Sequence, residues 1–105
     1  MAWTSRASAG RRDSELATLQ REVKIVNKYG LHARPAMQFV EIANRFNCKI
    51  EVANGSLVVD AKSIMSVMRL AATNGTVLKI VADGEDSAPA VEALEKLVAE
   101  GFGEE

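Results

Sequence analysis

From Glu22 onward apolar and polar residues alternate, with Val23 and Ile25 set against Glu22 and Lys24, the period of a strand buried on one face. After Tyr29-Gly30 the period lengthens. Ala36, Phe39, Val40 and Ala43 fall at i, i+3, i+4 and i+7 on one helical face, and Pro35 sits in the first turn, where its missing N–H costs nothing. This spacing predicts a helix over residues 33–44. Ile50 and Val52 then alternate with Lys49 and Glu51, Asn54-Gly55 supplies the φ > 0 pair of a tight turn, and the apolar run resumes at Leu57, which predicts a hairpin. Ser63 precedes an apolar run that continues to Ala72, a second helix ended by Asn74-Gly75, and residues 77–81 read as a fourth strand. Asp86 or Ser87 opens a last helix, with Pro89 in its first turn, Val91, Leu94 and Val98 on one face and Gly101 as the stop.

The order is therefore β-α-β-β-α-β-α. Four short strands and three helices pack most economically with every helix on one side, which predicts an α+β open-faced two-layer sandwich with a four-stranded antiparallel sheet and one wet sheet face. Residues 22–105 form the domain. Residues 1–21, rich in Ser, Ala and Arg, read as a flexible extension with a short helical turn at residues 13–16, and Trp3 gains a contact only if that extension orders.

Composition narrows the class. At 105 residues the chain has room for one modest core. Its 48% hydrophobic and 26% charged residues are ordinary globular usage, which argues against wholesale disorder. With no long apolar stretch and no secretory signal, a cytoplasmic protein without membrane insertion is expected. One cysteine, Cys48, and one histidine exclude an internal disulfide and a His/Cys metal cluster, so no metal and no cofactor are expected. The net charge of −1 divides into +2 over residues 1–21 and −3 over the remainder, the wrong distribution for a nucleic-acid binder, and a monomer is expected.

His32 stands in Gly30-Leu31-His32-Ala33-Arg34-Pro35-Ala36, at or beside the N-cap of the first helix. A phosphate there meets unpaired backbone N–H groups and the positive end of the helix dipole, and Arg34 adds a guanidinium for charge-assisted hydrogen bonds. The same positive field is expected to favour the neutral, nucleophilic imidazole. A lone His near a helix start can also be no more than a polar cap. Without a second His or Cys, however, a hydrolase triad would lack its base and orienting group, and stoichiometric phosphoryl relay fits these parts better.

Ser63 opens the second helix in Lys62-Ser63-Ile64-Met65-Ser66-Val67-Met68, where its plain role is an N-cap and its functional reading is a regulatory phosphorylation site. Ser66, one turn in, is the neighbouring alternative. The run is too apolar for one buried face, so some of Ile64, Met65 and Met68 are expected at the surface as an adaptable docking patch, the opposing reading being a short helix buried on most sides. Lys28, Arg34, Lys62 and Arg69 flank the two segments, while eight carboxylates from residue 83 onward crowd the C-terminal quarter. A basic rim around an apolar patch would steer acidic protein partners.

The segments Gly-Leu-His-Ala-Arg-Pro-Ala and Lys-Ser-Ile-Met-x-Val-Met, in this order with the Asn-Gly hairpin between them, strongly resemble the HPr family of the phosphoenolpyruvate-dependent sugar phosphotransferase system over about residues 22–103. The resemblance implies that His32 is phosphorylated on Nδ1 by enzyme I and passes the group to enzyme IIA proteins, assisted by Arg34. It further implies that Ser63 is modified by an ATP-dependent HPr kinase/phosphorylase, with transcriptional regulators as further partners, and that Ile64, Met65 and Met68 form the docking patch. Such a protein is a carrier rather than an enzyme. Three features depart from the pattern: Ser66 stands where Gly is common, Tyr29 where a small polar residue is usual, and residues 1–21 extend the N-terminus. The alternatives are a regulatory module acting only through phospho-Ser63, against which the presence of His32 counts, and a nitrogen-type branch of the same relay.

Overall fold

The computed structural model describes residues 18–104. The helical turn expected at residues 13–16 and Trp3 lie outside the described residues. In chain order the elements are β1 (Leu19–Lys24), α1 (Ala33–Ala43), β2 (Cys48–Asn54), β3 (Leu57–Asp60), α2 (Ile64–Met68), β4 (Val77–Gly84) and α3 (Ser87–Ala99), followed by a 3-10 turn at Gly101–Gly103. The strands pair in the order β1-β4-β2-β3, all antiparallel, and the helices cover one face. This is the open-faced α+β sandwich that the element order predicts.

The alternation of the strands sets their register. Val23 pairs with Leu78, and Val52 pairs with Ile80 on one side and Val59 on the other, so these side chains form one apolar face under the helices. A one-residue slip would turn this whole face to water. Phe39, Ala36 and Ala43 of α1, Val67 of α2, and Val91, Leu94 and Val98 of α3 close over it, each at or below 1% exposure. Burying each large side chain contributes about 1.5 to 3 kcal/mol. The opposite sheet face stays wet, with Glu22 beside Lys79.

β4 runs on to Gly84 rather than ending at residue 81, its extra residues pairing with Cys48 to Ile50 of β2, and two further boundaries differ from expectation. β1 starts at Leu19 rather than Glu22, because Leu19 packs against the core edge and Arg21, on the same face, reaches Glu95 of α3 at 2.6 Å. The second helix was expected to run to Ala72 but stops after five residues at Met68. Ala71 turns into the left-handed region (φ 49°), which lets both Leu70 and Ala72 point into the core. The turn is held from outside the segment: Asn54 Nδ2 donates to the Leu70 carbonyl at 3.0 Å, and the Leu31 N–H donates to the Ala72 carbonyl at 2.9 Å. The apolar run is thus not one long helix but a short helix burying Val67, followed by a turn that buries Leu70 and Ala72.

Candidate functional site

The loop from Ile25 to His32 is stitched to the loop after α2. Ile25 and Thr76 bond at 2.9 Å, Gly75 N–H donates to the Ile25 carbonyl at 2.7 Å, and Asn74 Nδ2 donates to the Val26 and Asn27 carbonyls at 3.1 and 3.2 Å. Gly30 takes φ +69° with its Cα against the Ala72 carbonyl, a close approach that a side chain would block. This framework fixes where α1 begins.

His32 is the N-cap of α1, with an extended backbone (φ −76°, ψ −173°) and no capping bond from its ring. The Ala36 N–H closes the first helical bond onto the His32 carbonyl at 3.0 Å. Pro35 has no N–H, and the Ala33 and Arg34 amides meet no acceptor among the described residues. Two open donors and the positive end of an 11-residue helix therefore stand beside the ring, as an anion seat requires. Arg34 is exposed in the first turn and makes no hydrogen bond or ion pair among the described residues, although its charge acts on the Glu104 carboxyl.

The ring has a partner that sequence reasoning missed. His32 Nε2 lies 2.9 and 3.2 Å from the two carboxylate oxygens of Glu104. An ionised carboxylate only accepts, so Nε2 carries the proton, and in the neutral ring the lone pair is left on Nδ1. Asn27 backs the carboxylate: its Nδ2 donates at 3.0 Å to Glu104 Oε1 and at 2.8 Å to the Gly30 carbonyl. The field at the ring is thus not of one sign, as the expectation of a neutral ring in a positive setting assumed, but is shared between helix terminus and carboxylate. Glu104 belongs to the acidic C-terminal quarter and sits 72 residues from His32 in the chain. The one local signal was the Gly-x-Gly spacing at Gly101 and Gly103, which marks a reversal as well as a helix stop.

The Asn27 hydrogen bond holds the Glu104 carboxyl below the usual glutamate range; loss of water opposes it, and the His32 bond with the His32 and Arg34 charges reinforces it. A group whose pKa is lower folded than unfolded contributes stability above its unfolded value, about 4.3, and loses it as pH falls through the folded value. The Glu104 carboxyl carbon is therefore expected to titrate below pH ~4.3 by NMR, with the His32 ring signals moving in the same step. Titration at or above that pH would count against the Asn27 contact.

Tyr29 is 69% exposed and presents its ring at 83° to that of His32, centroids 6.4 Å apart, while Lys28 Nζ lies 5.3 Å over the Tyr29 ring. Ser63 caps α2, its Oγ accepting the Ser66 N–H at 3.3 Å. Ile64, Met65 and Met68 are 38%, 76% and 41% exposed, whereas Val67 is buried, so α2 turns three apolar side chains outward. Of the flanking bases, Lys62 is tied to the Phe46 carbonyl at 2.8 Å and Arg69 is exposed at the C-cap of α2. Burial pushes the half-buried Cys48 thiol up, with Asp86 and Asp83 adding to it and Lys62 opposing, the setting of an unreactive thiol. Among the described residues no group of His, Cys, Asp and Glu of metal-binding size forms, and no helix is long and apolar enough to cross a membrane.

Comparison with known proteins identifies the family. Residues 19–100 match the family model described as the PTS HPr component phosphorylation site. The phosphocarrier protein HPr of Cupriavidus necator is 43% identical over 86 residues, 82% of this chain and 97% of that protein. The corresponding protein of Pseudomonas putida is 46% identical over 85 residues, 80% of this chain and 94% of that one. Among solved structures, an HPr from Thermoanaerobacter tengcongensis superposes with a TM-score of 0.80 at 44% identity, covering 83% of this chain and 98% of its own. The sequence aligns over nearly the full length of these relatives and the fold superposes on that of a solved HPr, and the chain belongs to the HPr family of phosphocarriers of the phosphotransferase system.

Proposed function

We propose that His32 carries the phosphoryl group on Nδ1 in a cytoplasmic relay, receiving it from phospho-enzyme I and passing it to enzyme IIA proteins. The observation that carries this reading is the capture of Nε2–H by Glu104, which leaves Nδ1 as the ring nucleophile at the N-cap of α1. The open Ala33 and Arg34 amides and the Arg34 guanidinium supply donors for the bound phosphoryl oxygens. The protein is spent once per transfer and regenerated by the next, as a stoichiometric carrier rather than an enzyme.

Ile64, Met65 and Met68 serve as the apolar centre of the docking surface, with Lys28, Lys62 and Arg69 at its basic rim, a combination suited to acidic partner surfaces. Ser63 is the regulatory serine, a target of an HPr kinase/phosphorylase read by transcriptional regulators. A phosphate on it would add about two negative charges beside the exposed methionines and so act on docking. Ser63→Ala is expected to cost about 1 kcal/mol in a denaturant melt, the value of a lost N-cap, and to abolish labelling by that kinase with ATP. Persisting label would move the assignment to Ser66.

The carrier reading is tested by intact-mass spectrometry after incubation with enzyme I, phosphoenolpyruvate and Mg²⁺, before and after brief acid. A single adduct lost in acid is the expected result, because phosphohistidine hydrolyses there and phosphoserine does not. No adduct, with the same enzyme I active on a control carrier, would overturn the reading in favour of a module acting through Ser63 alone.

A further inference from the structure

Glu104 lies beyond the stretch matched by the family model, which ends at residue 100. It reaches His32 because the chain reverses after α3: Gly101 and Gly103 take φ +65° and +75°, and between them Phe102 holds φ 58° with its side chain buried. A bulky residue in the left-handed region is rare and is kept only where the surroundings demand it. Here the buried ring anchors the turn, the Glu104 N–H donates to the Gly101 carbonyl at 2.9 Å, and Gly101 packs against Val26 and Asn27.

Asn27 completes the arrangement. It is 3% exposed, and both acceptors of its Nδ2, the Gly30 carbonyl and Glu104 Oε1, dictate the orientation of its amide, even though Oδ1 is left buried without a partner. An unpartnered buried acceptor costs free energy, and in this case the cost accompanies a fixed carboxylate. The His32 and Glu104 side chains are 42% and 24% exposed, so the pair is neither a freely solvated surface contact nor a buried ion pair.

We propose that Glu104 is a positioning residue for phosphoryl transfer: backed by Asn27, it holds Nε2–H, presents Nδ1 to the donor and serves as counter-ion to the ring once phosphorylated. The inference rests on the reading of His32 Nδ1 as the acceptor. The Nδ1 lone pair forms the N–P bond as the bond between phosphorus and the donor's leaving atom breaks, its electron pair departing with the donor. Nε2 keeps its proton throughout, so no base is needed. The ring becomes a phosphoimidazolium, and the Glu104 carboxylate, 2.9 Å from Nε2, faces the new positive charge. Onward transfer reverses the step and returns the neutral Nε2–H ring. Glu104 therefore stabilises the loaded carrier and sets how readily it gives up the group.

The test compares the full chain with Glu104→Gln and Glu104→Ala, read by ¹⁵N NMR of His32 before and after phosphorylation by enzyme I and phosphoenolpyruvate. In the free protein both variants are expected to gain the Nδ1–H tautomer. In the phosphorylated protein both are expected to release the Nε2 proton about one pH unit lower than wild type, and the phosphorylated fraction at a fixed phosphoenolpyruvate to pyruvate ratio should fall about tenfold in equilibrium constant. The tautomer and the Nε2 titration do not respond to a role confined to folding. Wild type that takes no phosphoryl group would overturn the carrier reading and the inference with it. Wild type that is phosphorylated, with tautomer and Nε2 titration unchanged in both variants, would overturn the inference alone.

Discussion

His32→Ala is expected to abolish the acid-labile adduct formed with enzyme I and phosphoenolpyruvate, while shifting the folding free energy by no more than about 0.5 kcal/mol, the usual range for surface positions. The ring is part-exposed, makes no capping bond and contributes no core contact, so its removal leaves α1 and the sheet intact. What disappears is the nucleophile, and no other imidazole exists in the chain to replace it. Intact mass with enzyme I checks the first half and a urea melt the second. Retained acid-labile label would place the acceptor elsewhere, and a large loss of stability would mean that the Glu104 contact holds the C-terminal turn to the domain.

Gly30→Ala is expected to destabilise the fold by about 2 to 4 kcal/mol, combining the cost of a left-handed non-glycine residue with a steric conflict that the backbone must move to relieve. A Cβ at residue 30 would stand 2.4 Å from the Ala72 carbonyl oxygen and 2.8 Å from Thr73 Cα, both main-chain atoms. Relief would pull apart the Leu31 to Ala72 hydrogen bond and shift the entry to α1 on which His32 sits. Phosphoryl acceptance should slow along with the loss of stability. A thermal or urea melt within about 0.5 kcal/mol of wild type would show that the two loops separate freely, contrary to the stitching described above.

These two substitutions mark two kinds of legibility. His32 was readable because its chemistry is local: a histidine two residues after glycine and three before proline, at a change from strand to helix period, places an imidazole at a helix start. Asn54-Gly55 and the strands around it were readable for the same reason, since turn chemistry and period-two alternation act over a few residues. Gly30 was legible as a break, but not as the contact point for Ala72, which is brought to it by pairing of segments far apart in the chain.

The sequence by itself determined the element order, the alternation of the first two strands, the helix start at His32 and a surplus of apolar residues in the second helix, because periodicity, capping and composition are properties of short windows. The outward turn of all three of Ile64, Met65 and Met68 was decided by the packing of Val67. The tertiary structure alone decided where the second helix stops, how far β1 extends and which group holds His32. Each depends on partners remote in sequence: Asn54 and Leu31 for the turn after Met68, Glu95 for the start of β1, and Asn27 with Glu104 for the ring. A carboxylate in an acidic C-terminal segment looks like any other solvated charge until the reversal at Phe102 sets it against the imidazole.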